Sequence, residues 1–509
     1  ARGLYIDEGA LTEMEVTMPN RIMKLRKDLQ TVDPRIEAWC AEQRAKAKEG
    51  EDWELDLENK NQLKDLLFKV LDLPVLRFTK QGRKLLGDDV EKAIQNMSAA
   101  ISAEKPELEG DEEGLRRAVQ LQLREVAAVD KFTLNKICVE FEKLRPLQEY
   151  RKEFKLYSTY VRPLRNLFTE GLDKKERTHD QHLCFDHCIH ASFLLTGTRG
   201  GRLSCRDPNL QQLPRDGIVK SMFVSRFGDR GCLYQGDLSQ IELRLLAAAC
   251  GDPTMVEAYF KETDLHSLTT SRIFDVPYNN FSKDYMKALQ EKGHDKEAKA
   301  LDEKRSIGKT VNFLTGYGGG AFGLQNVLAM KSIYKKIEEC QAIIDKFFES
   351  YPSLRVLLQQ YKRFIMDTHV AVSIFGRVRV FEEVRGDDEE AKAKALRAGC
   401  NHLSQSTASD MMLTALFVIE RMMRLEGLES MLVSTVHDSL VIDCIRAELP
   451  QVHDIVLRVL NNFPEVFKIV FGDDYDTSWM IVPFTGDCEV GQDYLSTRKI
   501  PKKAIDWDK

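Results

Sequence analysis

The 509-residue sequence has no apolar run near the ~20 residues that a helix needs to cross a bilayer. No secretory leader is visible at the start of the given sequence. Its 11 cysteines follow no paired spacing, which argues against a disulfide framework and for free thiols in a reducing compartment. Internal repeats and low-complexity tracts are absent, so nothing points to a solenoid. Positive charge is not in excess either: 74 Lys and Arg against 80 Asp and Glu leave a net charge of −6. That sum argues against a uniformly basic nucleic-acid binder, but it allows a local basic cleft. What remains is an ordinary soluble composition, 43% hydrophobic and 30% charged. The length suggests roughly three domain-sized units. The first residue is Ala rather than Met, so an upstream segment is expected to be missing.

Pattern changes divide the chain. Residues 1–20 read as a connector. Residues 21–48 are helical and highly charged, and residues 49–110 are mixed, with a break at Pro74. From Glu113 to about Tyr150 apolar residues recur at helical spacing and predict long helices. Between about 184 and 250, short apolar runs and turn residues predict strands and loops. Helical patterns return from Met255 to about Ala398 and continue in a helix over Leu396–Arg424. A hairpin is predicted over Met431–Cys444. The last sheet-rich stretch is expected to rejoin the earlier one in a discontinuous domain.

One cluster invites a zinc reading: His182, Cys184, His187, Cys188 and His190. Its spacing matches no common structural zinc site. A half-buried strand leading into a loop is the better expectation.

The stretch CLYQGDLSQIELR organises the chemistry. An apolar run ends in Asp237, and a helical segment carrying Glu242 and Arg244 follows at once. In MLVSTVHDSLVIDC, two β-type runs flank His437, Asp438 and Ser439, which places Asp438 on a tight turn between stiff arms. Alone, Asp438 is only a good turn residue. Paired with Asp237 in one sheet, it can bridge two divalent ions suited to in-line phosphoryl transfer. Mg²⁺ fits such a site, since it takes few carboxylates plus substrate phosphates.

In KRSIGKTVNFLTGYGGG, Arg305, Lys309, Phe313 and Tyr317 recur at i, i+4 and form one helical stripe. The cations suit a triphosphate and the aromatics a base or sugar. The plainer alternative is an amphipathic helix with solvated cations. In TGTRGGRLSCRDPNLQQLPR, Arg199, Arg202 and Arg206 can meet phosphates, and Asn209, Gln211 and Gln212 can meet base edges or sugars. That loop could also merely turn the chain. Arg397, Asn401 and Gln405 make a second polar stripe, or only a solvated helix face.

Taken together, these segments resemble the polymerase region of family A DNA polymerases. GDLSQIELR is similar to their motif A, RSIGKTVNFLTGYG to motif B and VHDS to motif C. GRLSCRDPNLQQLP, NQLKDLLFKVLDLPVL and VPFTGDCEVGQDYLS are also similar to family segments, in the right order over nearly the whole chain. The resemblance implies an α+β right-hand fold with a helical thumb (21–170), an antiparallel-sheet palm (171–254 and 400–509) and helical fingers (255–399). It implies 5′-to-3′ nucleotidyl transfer from a dNTP to a primer 3′-OH on primer–template DNA. Asp237, Asp438 and the Leu238 carbonyl would hold two Mg²⁺ ions. Arg305, Lys309, His266 and Gln240 would hold the nucleotide, with Lys309 assisting proton transfer to pyrophosphate. Phe313 would pack by the sugar, Glu242 would exclude a 2′-OH, and Tyr317 would stack near the template base. Arg202, Asn209, Gln211, Arg397, Asn401, Gln405 and His437 would contact DNA.

There are departures. Ser439 stands where motif C usually has Glu, Leu238 where motif A usually has Tyr, and Ser306 where a second Arg is frequent. Arg199 is an extra charge. No proofreading exonuclease is evident in the chain. A monomer without membrane attachment is expected, with an upstream domain in the full-length protein possible. The expected location is the cytoplasm or nucleoid of a bacterial or phage-infected cell, with organelle and nucleus left open. Two rivals are a single-subunit RNA polymerase and a silent homologue that only binds DNA. Glu242 and the GRLS loop argue against the first, and intact Asp237, Asp438, Arg305 and Lys309 against the second.

Overall fold

The computed structural model describes residues 2–48, 53–87, 90–108, 110–169, 186–214, 217–331 and 333–501. The chain forms two compact units. One is Thr12–Arg165, and the other joins Ala1–Leu11 to Asn166–Lys509.

The smaller unit is helical. Its core gathers Ile22, Leu29, Ile36, Leu66, Leu67, Phe68, Ile137 and Leu147 from several helices. The patterned stretch from Glu113 does not run on unbroken. It splits into helices Glu112–Val126, Lys131–Glu140 and Arg145–Leu156. Asp130 restarts the second by accepting from the Thr133 N–H at 2.9 Å. Residues 1–20, expected as a connector, carry regular structure. Leu4–Tyr5 form a strand paired with Cys188–Ile189, and a helix runs over Glu8–Thr31 through Pro19. The proline obscures that helix in the sequence, since it removes one N–H from the ladder and usually marks a break.

In the larger unit, five antiparallel strands make the sheet: β1 (Gly231–Leu238), β2 (Met431–Val436), β3 (Ser439–Ile445), β4 (Gly486–Gly491) and β5 (Arg498–Ile500). Their order is β5–β4–β1–β3–β2. Strand β1 is central, and Cys232, Leu233 and Tyr234 in it are wholly buried. Such a strand is apolar on both faces, which is why its run does not alternate. The sheet therefore unites residues about 200 positions apart, as the strand pattern predicted (438 − 237 = 201).

Helices surround that sheet. They include α1 (Ile241–Cys250), α2 (Leu265–Phe274), α3 (Asp295–Gly316), α4 (Ala321–Ala329), α5 (Glu389–Leu425) and α6 (Leu449–Asn461). α6 lies close beneath β1 because Gly236 has no side chain; a Cβ there would meet Val456 at 3.1 Å. α5, 37 residues long, starts at Asp388, whose carboxylate accepts from the N–H groups of Glu390 and Ala391.

Ten cysteines among the described residues are free thiols. Cys188 lies in a buried strand, His187 pairs with Glu8 and His190 with Asp186. Among the described residues no group of three metal-type side chains converges; His182 and Cys184 lie outside them. No described helix is long and apolar enough to cross a membrane.

Candidate active site

Asp237 sits one residue before the end of β1, with its side chain exposed. Its register partners are Ser439 on β3 and Asp487 on β4. The β2–β3 turn has only two residues, His437 and Asp438, because Val436 pairs with Ser439. His437 takes a left-handed φ of 55° there, as two-residue hairpin turns require. The Leu238 N–H donates to the Asp438 carbonyl at 3.0 Å. Asp237 and Asp438 thus stand at one end of two adjoining strands. His437 itself is exposed at the turn.

The chain then turns sharply into α1. Arg244 fixes that turn from below. Its Nε donates to the Ser239 carbonyl at 2.8 Å and its Nη2 to Thr485 Oγ1 at 3.1 Å, while its Nη1 donates to the Pro483 carbonyl. Gln240 caps α1 with φ 53°, and its buried Oε1 accepts nothing from the described residues. Glu242, in the first turn of α1, is almost enclosed. Arg202 Nη2 donates to Glu242 Oε1 at 2.5 Å and lies 3.4 Å from Asp438 Oδ1. One guanidinium therefore serves two acids. Burial pushes the Glu242 carboxyl up to about 7, against the pull of Arg202 and with a further push from Asp438. Tyr494, buried near Asp237, is raised to about 12 by burial and then by that carboxylate.

α3 presents the second set. Arg305 donates to Asp264 Oδ2 at 2.7 Å and to Ser267 Oγ at 3.2 Å. Burial raises the Asp264 carboxyl, but hydrogen bonds from Ser267 and Arg305 outweigh it and hold it low. Lys309 is exposed, and no carboxylate among the described residues pairs with it. His266 is buried on α2. Burial drops its ring to about 4 and keeps it neutral near pH 7. Its tautomer follows from a buried chain of hydrogen bonds. Tyr351 Oη donates to Thr269 Oγ1 (2.8 Å), Thr269 to Asn312 Oδ1 (2.9 Å), and Asn312 Nδ2 to His266 Nδ1 (2.9 Å). Nδ1 accepts, so Nε2 carries the proton. The His266 and Phe313 rings lie 5.3 Å apart, and those of Phe313 and Tyr317 lie 6.3 Å apart. The stripe is a physical row.

The third set meets around a cavity of about 800 Å³ between the end of α3, α4 and α5, lined by Tyr317, Phe322, Arg397 and Asn401 among others. Two motifs 80 residues apart (397 − 317) thus share one wall. Gln405, one turn further along α5, packs against Gly200 of the glycine-rich loop. Ser409 Oγ donates to the Gly201 carbonyl at 2.9 Å and holds that loop to α5. Asn209 caps a short 3₁₀ turn by accepting from the Gln211 N–H. Gln211 is buried and donates to the Thr435 carbonyl at 3.2 Å, so its amide faces β2 instead of open space.

Sequence reasoning missed Asp264, Ser267, Asn312 and Thr269. Asp264 had one available signal, its place as the N-cap of α2. Thr269 and Asn312 are ordinary core-type residues whose partners lie dozens of positions away, and Ser267 meets Arg305 38 positions on.

The sequence pattern of DNA polymerase family A matches residues 115–495. The chain belongs to that family. This family A chain is 31% identical over 347 residues to DNA polymerase I of Helicobacter pylori (strain ATCC 700392 / 26695), covering 67% of this chain and 34% of that one. It is 29% identical over 363 residues to the DNA polymerase of Bacillus phage SP01, covering 69% and 35%. The chain thus spans about a third of the length of these relatives. Among solved structures, the POL domain of Pol1 from M. smegmatis, in complex with DNA primer-template and dNTP, matches with a TM-score of 0.70 at 20% identity. The match covers 97% of this chain and 68% of that one. That likeness identifies the fold as the helix-rich, antiparallel-sheet fold of a family A polymerase domain.

Proposed function

We propose that this chain is a DNA-directed DNA polymerase that transfers a nucleotidyl group from a dNTP to a primer 3′-OH, 5′ to 3′, under a template. Its support is the meeting of Asp237 and Asp438 at one end of adjoining strands in a family A chain. The sheet with α1 is the palm, the helices of 255–399 the fingers, and 21–170 the thumb.

Asp237 and Asp438 suit a divalent ion. Both are acids on rigid backbone, and Asp438 already draws a guanidinium to 3.4 Å. With the Leu238 carbonyl they would hold Mg²⁺, expected as two ions, which supplies Lewis-acid stabilisation of the attacking and leaving oxygens. Arg305 and Lys309 bind the triphosphate. His266 adds its neutral Nε2–H as a donor, and Lys309 can pass a proton to the departing pyrophosphate. Phe313 packs by the sugar. Glu242 fills the space under C2′, where a hydroxyl would meet an enclosed carboxyl. Tyr317, Arg397 and Asn401 receive the template base in the shared cavity. Arg202, Asn209 and Gln405 contact the primer–template or the new pair, where the minor groove offers similar acceptors for every correct pair.

Primer extension with Mg²⁺ and each dNTP or rNTP tests the reading. Extension with dNTPs that vanishes in Asp237→Ala is expected. No extension by the unaltered chain would overturn the enzyme, and a preference for rNTPs would overturn the DNA polymerase.

A further inference from the structure

We infer that Lys331 is an additional phosphate-binding cation of the nucleotide site, delivered to the α3 stripe from a neighbouring turn. The inference rests on the nucleotide site proposed above. Lys331 lies just beyond α4, where its N–H donates to the Leu328 carbonyl at 2.9 Å. Its Nζ reaches α3, donating to Thr310 Oγ1 at 2.7 Å and lying 3.4 Å from Ser306 Oγ. Ser306 and Thr310 stand at i and i+4, each one position after Arg305 and Lys309. The amine therefore rests along the edge of the cationic stripe.

The surroundings are short of negative charge. No carboxylate among the described residues pairs with Lys331 or with Lys309, whereas Arg305 spends its guanidinium on Asp264. Thr310 Oγ1 donates its own proton to the Ser306 carbonyl at 2.7 Å, so it meets Lys331 as an acceptor. Two hydroxyls leave at least one N–H of the ammonium unspent. Burial, and then the charge of Lys309, make it harder for Lys331 to hold its proton. Two lysines brought together without an acid repel each other, and an arriving polyanion relieves that repulsion.

Phosphate oxygen is the ligand chemistry, and a dNTP tail or the nucleic-acid backbone could supply it. Nearness to Lys309 favours the tail. Lys331→Ala lies in an exposed turn, and its thermal unfolding checks that the fold is kept. Calorimetry with inorganic tripolyphosphate, equilibrium binding of primer–template, and steady-state kinetics with dNTP are run on the unaltered chain, on Lys331→Ala and on the double variant Lys331→Ala/Ser306→Arg. The expected result is a roughly three- to tenfold weaker tripolyphosphate affinity and an equal rise in KM for dNTP, with kcat within about twofold. The arginine at 306, placing charge where the amine now rests, restores both. A loss confined to primer–template affinity would keep the phosphate contact and assign it to the backbone. Unchanged affinity for tripolyphosphate, dNTP and DNA overturns the inference. If the unaltered chain extends no primer yet Lys331→Ala weakens tripolyphosphate binding, the polymerase reading fails while the cation stands.

Discussion

At the end of β1, Asp438 and Glu242 share one guanidinium, with Asp237 exposed beside them. Along α3 the balance is reversed. Arg305 keeps one acid partner, and Lys309 and Lys331 have none among the described residues. Acids outnumber cations in the first region, and cations outnumber acids in the second. On the proposed reading each would attract what the other cannot use: divalent cations at the strand ends, a phosphate chain at the helix. A metal–nucleotide complex carries both charges, so the proposed substrate would match both regions at once.

The sharpest way to break that comparison is at the acids. Asp237→Ala should cut primer extension by a thousandfold or more, since each ~1.4 kcal/mol of lost transition-state stabilisation is a factor of ten. Its unfolding temperature should stay within a degree or two, because the side chain is exposed. A large loss of stability instead would make Asp237 a structural residue. Next comes the cationic side. Lys309→Ala should lower kcat/KM for dNTP about a hundredfold, a loss in the range for one general acid or charged donor. An effect below about threefold would remove Lys309 from the site.

Glu242 tests the crowded side through pH. Its folded pKa is raised, to about 7 from 4.5, so ionising it opposes folding. Native stability should therefore fall as pH rises from about 4.5 to about 7 and level off above. The total drop is bounded at ~3 kcal/mol by the shift. Glu242→Gln should flatten that slope in melting curves taken from pH 4 to pH 8; an unchanged slope would show that another group causes it. Glu242→Ala should also relax the choice of dNTP over rNTP in competition assays. The smallest change lies away from both regions. Tyr234→Phe removes a buried hydrogen bond to His453 Nδ1 and should cost about 1 kcal/mol in denaturant unfolding, with kinetics unaltered.

The hairpin bearing Asp438 was legible because its turn chemistry is local: two β-type runs and two polar residues. The strand ending in Asp237 was legible as a buried apolar run. Their pairing was not. No local pattern says which strands become neighbours; the order of the sheet-rich stretches puts them in one domain, but the pairing of β1 with β3 is set by tertiary packing. The α3 stripe followed from period alone, but Arg305's partner is 41 positions away and the lysine beside Thr310 is 21 away. The first half of the helix over Glu8–Thr31 was lost behind Pro19, while its part beyond residue 21 was read as helical. Gln211 was a reasonable polar candidate, yet its amide pairs with a β2 carbonyl. A sequence lists donors and acceptors without saying which ones face inward.

Gly308 sets how these parts can move. A Cβ at this position would lie 2.0 Å from Thr270 Oγ1 and 3.2 Å from its Cα, so α2 and α3 touch backbone to side chain with no room to slide. Helices keyed so closely shift as one rigid piece. Asp264, His266, Arg305 and Lys309 then travel together, and on the proposed reading a closing motion would carry a finished phosphate cradle toward the strand ends. The gap between cradle and acids is the adjustable quantity. Paired labels on α2 and α3 should hold their spacing when nucleotide binds, while labels on α3 and β3 draw closer.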